Sequence, residues 1–226
     1  IARVIGYDNI KSSRIKLDKI THDISNDKVA MLQSFLVKNG FNEVINYPFT
    51  SKKEKESIII DNPLDSNRDN FRISLRDSLV NNLLYNERRQ QESIKLFEIS
   101  DIYIKDKDIK QQKKLGLIVS GRLGKNYKDF SKKLDNNYLF NLLNKDHNEE
   151  IFEIIEVSRN NLDTKKKDKI YYVETFIDNI PKNFFSSLSA SQKPINFVKY
   201  IPVSEYPSSS RDFSFSIDSL EKVNTV

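Results

Sequence analysis

The sequence contains no cysteine, only two histidines and only five glycines in 226 residues. The lack of cysteine excludes disulfide bonds, thiolate nucleophiles and zinc–thiolate sites, and it is compatible with a reducing compartment. The histidines, His22 and His147, lie far apart in the sequence and each is surrounded by polar residues. We therefore expect neither a Ser-His-Asp triad nor a histidine metal site.

The scarcity of glycine bears on nucleotide binding. A loop that cradles phosphates needs closely spaced glycines, because the backbone itself must approach the nucleotide. Only Gly121 and Gly124 are close, with GxxG spacing, and no arginine follows them at the required distance. The sequence therefore predicts no bound ATP, no cofactor site, no metal site and no catalytic residue in this chain.

Long apolar runs are also missing. No stretch approaches the ~20 residues that a membrane-spanning helix needs. The N-terminus, Ile1-Ala2-Arg3-Val4, shows no signal-peptide pattern. We therefore predict a cytoplasmic chain with no membrane partner. Because the sequence starts within an element, we expect it to be part of a longer polypeptide.

The composition is polar and mildly basic. Hydrophobic residues make up 38%, charged residues 31%, and the net charge is +5. This balance permits an RNA partner without requiring one. The run Lys165-Lys166-Lys167 could contact phosphates, but no aromatic residue is interleaved with it, so the sequence favours a solvated hairpin tip.

The stretch 62–104 organises the rest of the chain. Leu75, Leu79 and Leu83 recur at the spacing of one helical face, which predicts a helix over Ile73–Asn86. The Ile-, Phe- and Tyr-rich segment Ile94–Ile104 then predicts a strand.

Other elements follow from similar patterns. Val29, Leu32, Phe35 and Leu36 predict a buried stripe on a helix over Asn26–Asn39, which Gly40 ends. Alternation over Phe41–Phe49 predicts a strand with Ile45, Tyr47 and Phe49 on one face. Further predictions are a solvated, charged hairpin with its loop tip at Lys105–Lys114, a short helix at Asn137–Asn144, and strands at Leu115–Gly121, Ile151–Val157, Ile170–Ile177, Phe197–Ile201 and Phe213–Ile217.

Several motifs resemble one family. In order, they are IARVIGYDNI at the start, GFNEVINYPF after the first long helix, Asn62-Pro63-Leu64, Arg72-Ile73-Ser74-Leu75, Leu96-Phe97-Glu98-Ile99, and YPSSSRDFSFSI near the end. They are similar to the ARIYGYDNI, GFQEVITYSF, NPL, RxSL, LFEIG and YPxxxRDxSFxV strings of the β subunit of bacterial phenylalanyl-tRNA synthetase. Ser100 stands where that family usually has glycine.

The resemblance implies an α+β fold: an antiparallel sheet flanked by helices, like the catalytic domain of class II synthetases but inactive. It implies the end of a DNA-binding-like domain at 1–20, the catalytic-like module at 21–205 and the start of a ferredoxin-like anticodon-binding domain at 206–226. A first-motif helix and strand would form a subunit interface. We predict that the interface includes the helices Asp27–Asn39 and Ile73–Asn86, with interface residues Phe35, Arg72, Leu75, Leu79 and Leu83.

The implied function is structural. The chain would assemble with a catalytic α subunit in an (αβ)2 heterotetramer that charges tRNA(Phe) with phenylalanine, and ATP and Mg²⁺ would be used by that holoenzyme. Two alternatives stay open: an active small-substrate ligase, and a stand-alone RNA-binding or subunit-interaction module. Arg72 and Arg76 could bind phosphate, although the inactive copy favours a role in anchoring loops or an interface. Glu98 is interpreted as structural.

Overall fold

The computed structural model describes residues 2–10, 24–105, 107–124, 129–144 and 151–190, together with 200, 202, 204–207, 209, 211 and 216. The chain divides into two compact units, Ile1–Gln192 and Lys193–Val226. The elements below belong to the first unit. The predicted strands Phe197–Ile201 and Phe213–Ile217 lie almost wholly outside the described residues, and the predicted domain boundaries stay predictions.

The structure describes five α-helices and seven strands, of which the two longest strands form a hairpin. The helices are α1 (Ala2–Ile5), α2 (Ile24–Lys38), α3 (Arg76–Arg88), α4 (Asn136–Leu143) and α5 (Lys182–Ala190). The strands are β1 (Asn42–Glu43), β2 (Phe49–Thr50), β3 (Asn70–Phe71), β4 (Ser93–Lys105), β5 (Ile109–Gly121), β6 (Ile155–Val157) and β7 (Ile170–Phe176).

The main sheet has five strands in the order β1-β4-β5-β7-β6, and β2 and β3 form a separate pair. The predicted α+β class is confirmed. The sheet is mixed rather than wholly antiparallel, because β1 runs parallel to β4 with Asn42 opposite Leu96. A parallel neighbour requires a crossover connection, and the segment holding β2, β3 and α3 supplies it.

The hairpin of β4 and β5 is the longest feature of the sheet. Its register runs from Ser93 opposite Gly121 to Lys105 opposite Ile109. The predicted charged hairpin at Lys105–Lys114 is present, but its loop tip is shorter than expected, because β5 already begins at Ile109. Residues 109–112 are exposed, so no alternation of polar and apolar side chains marked them as a strand.

Two other predicted strands are shorter in the structure, for reasons that lie in side chains. Phe41–Phe49 contributes only β1 and the first residue of β2, because the Asn46 backbone turns toward the Glu98 carboxylate and Pro48 has no N–H for a ladder. Ile151–Val157 contributes only β6, since the backbone N–H groups of Ile151 and Phe152 donate to Asn144 Oδ1 at 3.1 and 3.0 Å.

Helices cover both faces of the sheet. On one face, α3 packs Leu75, Leu79 and Leu83 against sheet residues such as Ile118. On the other face, α2, α4 and α5 surround a second cluster that includes Leu36, Phe97, Leu117, Leu139 and Phe184. Each fully buried side chain of this kind contributes ~1.5–3 kcal/mol. The predicted helical stripe of α3 is confirmed.

Gly121 ends β5 in a conformation that favours glycine. Its φ is +94°, and a Cβ at this position would lie 2.0 Å from the backbone oxygen of Glu92. We predict that Gly121→Ala lowers the free energy of unfolding by about 3 kcal/mol, since backbone strain and a backbone clash add. Urea unfolding of the chain measures this loss.

Gly40 provides the matched control. Its φ is +78°, but a Cβ there would meet only Lys95 Nζ at 3.5 Å. Gly40→Ala should therefore cost only the ~1 kcal/mol of the left-handed backbone. Equal losses in the two variants would contradict the contact with Glu92.

Candidate functional site

A cavity of about 510 Å³ opens between the segment after β1, the residues around β3 and the first turn of α3. Its wall is mainly polar. The side chains that line it include Asn46, Ser57, Asn67, Ser74, Ser78 and Asn81, the cations Lys52, Arg68, Arg72 and Arg76, and the aromatic residues Tyr47, Phe49 and Phe71. This volume lies in the range of small-molecule sites, so the state of its charged groups decides what the cavity can do.

Arg72 is locked into the wall. It is 5% exposed and forms a bidentate ion pair with Glu98, which is 2% exposed. Its Nη1 also donates to Ser78 Oγ at 2.9 Å, and its Nη2 donates to Ser100 Oγ at 3.2 Å. Ser100 thus supplies a hydroxyl where the resembling family usually has glycine. Both terminal nitrogens of Arg72 are already bound, so the guanidinium joins β3, α3 and β4 instead of reaching a ligand.

Glu98 is equally engaged. Besides Arg72, its Oε2 accepts a hydrogen bond from Asn46 Nδ2 at 2.8 Å, and Asn82 Nδ2 donates to Asn46 Oδ1 at 2.9 Å. A carboxylate held by an arginine and an amide is a poor general base, because both oxygens already accept hydrogen bonds. The structural interpretation of Glu98 agrees with these contacts.

Arg76 differs from Arg72. The predicted helix start at Ile73 is too early, since α3 begins at Arg76. Ser74 Oγ and the Leu75 N–H donate to the Glu174 carboxylate, each at 2.9 Å, and this holds the chain in a turn before the helix. Arg72 and Arg76 therefore do not share a helical face, and Arg76 is exposed at the cavity.

Glu174 anchors this turn with the help of Lys114. The Lys114 ammonium lies 3.3 Å from Glu174 Oε1 and donates to the Ile73 carbonyl at 3.0 Å. Tyr172 lies beneath, and burial raises the pKa of its hydroxyl well above the usual range. Sequence analysis missed Glu174. The one signal was an acidic residue within the otherwise apolar segment IYYVETF.

The predicted interface residues lie in or against the core of the chain itself. Leu75, Leu79 and Leu83 are 0% exposed, and Phe35 is half-buried with its ring 6.0 Å from that of Phe184. A second chain could not contact the three leucines without opening the core. Their role at an interface stays a prediction, and it would be exerted through the helices that they hold in place.

Exposed apolar side chains occur instead between β1 and β3. Ile45 is 95% exposed, Tyr47 71%, Ile59 62% and Leu64 fully exposed. Ile45 and Tyr47 belong to the segment that Asn46 fastens to Glu98. The predicted alternation of this segment did not show that its apolar face is uncovered. Large apolar side chains presented by an anchored segment are typical of an interaction surface.

Among the described residues, no three His, Asp or Glu side chains come together in a way that could hold a metal ion. In the same part of the chain, no helix is long and apolar enough to cross a membrane. The predicted absence of metal, cofactor and catalytic residues stays a prediction.

Two curated relatives and one solved structure are similar to this chain. The phenylalanine–tRNA ligase β subunit of Buchnera aphidicola (subsp. Schizaphis graminum) is 26% identical over 96% of this chain and 32% of its own length. The corresponding β subunit of Haemophilus ducreyi is 34% identical over 47% of this chain and 14% of its own length. A pyrrolysyl-tRNA synthetase structure from Desulfitobacterium hafniense matches with a TM-score of 0.47 at 13% identity, over 69% of this chain and 67% of its own.

The chain thus spans a third or less of the length of these β subunits. A family model described as the phenylalanyl tRNA synthetase beta chain CLM domain matches residues 14–174. This range contains α2, α3, the hairpin of β4 and β5, the buried Arg72–Glu98 ion pair and the half-buried Lys114–Glu174 ion pair. The chain belongs to the family of the phenylalanyl-tRNA synthetase β chain CLM domain.

Proposed function

We propose that this chain is a non-catalytic part of a phenylalanine–tRNA ligase β subunit, which assembles with a catalytic α subunit in an (αβ)2 heterotetramer. ATP and Mg²⁺ serve the reaction on the α subunit, and tRNA(Phe) is charged by the assembled enzyme. The observation that carries this proposal is the engagement of Arg72 by Glu98, Ser78 and Ser100. Arg72, the arginine of the RxSL motif, stabilises the fold through these contacts and does not reach a ligand.

The cavity wall supports the proposed non-catalytic role. A class II aminoacylation site needs an arginine on the α-phosphate of ATP, a glycine-rich segment ending in a second arginine, and acidic groups for magnesium. In this wall, Arg72 is neutralised by Glu98, and Lys52 lies 3.2 Å from Glu54 and 3.4 Å from Asp77. The sequence also lacks a segment in which closely spaced glycines are followed by an arginine, which is the segment that would contact the nucleotide.

Assembly is supported by the exposed segment after β1. Ile45 and Tyr47 project large apolar surfaces from backbone that Asn46 holds against Glu98. An anchored segment loses little conformational freedom on binding, so most of its burial energy contributes to affinity. The half-buried Phe35 and the buried Arg72, Leu75, Leu79 and Leu83 hold α2 and α3 within the module that carries this surface.

We predict that Ile45→Glu/Tyr47→Glu weakens association with the α subunit at least tenfold, because two charges would enter an apolar contact. The stability of the isolated chain should change little, since both side chains are exposed. Analytical ultracentrifugation of the two subunits measures the association, and urea unfolding measures the stability.

Ile109→Glu is the control for this pair. Ile109 is 63% exposed but lies at the tip of the hairpin of β4 and β5. It should leave association unchanged. If Ile45→Glu/Tyr47→Glu associates as tightly as the wild-type chain, the interface lies elsewhere on the molecule.

A second candidate function, an active small-substrate ligase, makes a distinct demand. The isolated chain would have to bind ATP through the cavity. Arg76 is the cation of the wall best placed for this, since it is exposed on the first turn of α3. Saturable ATP binding that Arg76→Gln abolishes would favour this alternative over the assembly role.

A further inference from the structure

The end of α3 and the loop that follows β6 together form a basic surface that includes an exposed tyrosine. We name the set Tyr85, Arg88, Arg89, Lys165, Lys166 and Lys167 the basic platform. We propose that the basic platform binds single-stranded RNA, with Tyr85 and Arg89 stacking on a base and the lysines contacting the adjacent phosphates. This inference does not depend on the ligase role.

The loop is tied down from inside. Arg159 forms two hydrogen bonds to the Glu87 carboxylate, at 2.7 and 3.1 Å, and Glu87 is buried. Thr164 Oγ1 donates to the same carboxylate at 2.8 Å. Removing a buried ion pair from water costs free energy, and only good hydrogen-bond geometry offsets that cost. The three hydrogen bonds to Glu87 provide such geometry and fasten the loop to α3. The Lys165–Lys167 run therefore belongs to an anchored loop and not to a freely solvated tip.

The anchoring brings the lysines to the end of α3. Arg88 Nη2 lies 3.0 Å from Asp163 Oδ2, and Lys166 Nζ donates to the Gln91 carbonyl at 3.5 Å. Lys165 and Lys167, on either side of Lys166, are exposed. Residues about seventy-five positions apart in sequence thus share one surface.

The contacts between the loop and α3 change the interpretation of Lys165–Lys167. The sequence favoured a solvated tip because no aromatic residue is interleaved with the lysines. The loop contacts α3 at Arg88, and one turn before it on the same helix Tyr85 is 53% exposed, with the Arg89 guanidinium 3.3 Å from the centre of its ring. Arg89 Nη1 also donates to the Tyr85 carbonyl at 3.1 Å, which fixes the pair.

Charge and chemistry select the partner. Of the five cations of the basic platform, Arg88 pairs with Asp163, whereas Arg89 and the three lysines form no ion pair within the part of the chain that the structure describes, so the surface attracts anions. Arginine is uncommon in this chain, at ten of 37 basic residues, yet two arginines lie here. A planar guanidinium over a tyrosine ring offers a stacking face for an unpaired base, and flexible lysines follow a phosphate backbone. A base within a duplex could not reach that face.

Fluorescence anisotropy with a labelled single-stranded RNA of about 12 nucleotides tests the proposal, at salt concentrations from about 50 to 200 mM. We expect Lys165→Gln/Lys166→Gln/Lys167→Gln to weaken binding at least tenfold at low salt. It should also reduce the slope of log affinity against log salt by about 2, as expected for three lost phosphate contacts on a single strand.

Tyr85 separates stacking from charge. Tyr85→Ala should weaken binding about tenfold and leave the salt slope unchanged, whereas Tyr85→Phe should bind like the wild type. Circular dichroism and urea unfolding verify that each variant is folded. A Tyr85→Ala variant that binds as tightly as the wild type overturns the proposed stacking.

The matched control removes the same charge elsewhere. Lys105→Gln/Lys107→Gln/Lys110→Gln takes three lysines from the turn region of the hairpin, and it should reduce affinity less than threefold. An equal loss in the two triple variants would show attraction by net charge alone and overturn the proposal. Equal binding to duplex RNA of the same length, or to vesicles of anionic phospholipid, would also overturn it.

Discussion

Arg72→Leu is expected to lower the free energy of unfolding by about 3–5 kcal/mol, because it leaves Glu98 buried without its counter-charge. Glu98 is 2% exposed and cannot recover solvation by moving into water. The same change removes the hydrogen bonds that Arg72 donates to Ser78 and Ser100, which join α3 to β4. Urea unfolding followed by circular dichroism measures the loss.

Two further variants give the result its meaning. Arg72→Leu/Glu98→Leu should recover most of the lost stability, since a buried ion pair and a packed apolar pair are often close in energy. Arg72→Lys should recover little, because lysine cannot reproduce the two-pronged contact. If Arg72→Leu unfolds at the wild-type urea concentration, Arg72 is not a structural residue and its availability to a phosphate must be reconsidered.

Leu79→Asp should prevent folding of the module. Leu79 is 0% exposed, and its Cδ1 would lie only 2.8 Å from a Cβ added at Gly116, so α3 packs directly on the backbone of β5 there. A carboxylate at this position would be buried without a partner and would also lose the leucine packing, a combined cost on the order of 5 kcal/mol. That cost is comparable to the whole stability of many domains.

Asn81→Asp is the control on the same helix. Asn81 is exposed two residues away, so adding a charge there should change the free energy of unfolding by less than about 0.5 kcal/mol. Circular dichroism distinguishes a folded from an unfolded chain. A folded Leu79→Asp variant that fails only to associate with its partner would return Leu79 to the interface.

The elements with a regular burial pattern are the part of the fold that the sequence predicts best. The leucine spacing of α3 and the apolar run of β4 predict their elements closely, because burial on one helical face or within a strand imposes a regular pattern. Gly40 predicts the end of α2, and its φ of +78° is what glycine allows. The resemblance to the family depends on the identities of the motif residues, which hydrophobic periodicity alone cannot supply.

The candidate site was less predictable because long-range polar contacts create it. Glu174 reaches back a hundred residues to Ser74, and Glu98 holds Asn46 from a different part of the chain. No local spacing signals such pairs. The same contacts decide local structure, since they delay the start of α3 and interrupt the predicted strand at Phe41–Phe49.

Exposure was the other property that periodicity could not supply. Ile45 and Tyr47 alternate as buried strand residues would, but the structure leaves them uncovered. Conversely, the family resemblance led us to predict Leu75, Leu79 and Leu83 at an interface, whereas the chain buries them against its own sheet. An apolar stripe predicts that something covers it and does not say whether the cover is the same chain or another.

The most direct test of the account is phenylalanine charging of tRNA(Phe) by the separate and the combined subunits. It uses the intact β chain that contains this module, the α subunit, and ATP with Mg²⁺. We expect charging only by the combined subunits, and loss of both complex and charging with Ile45→Glu/Tyr47→Glu in the β chain. Charging by the β chain alone would contradict the account, because it would require a phosphate site that the engaged Arg72 does not provide.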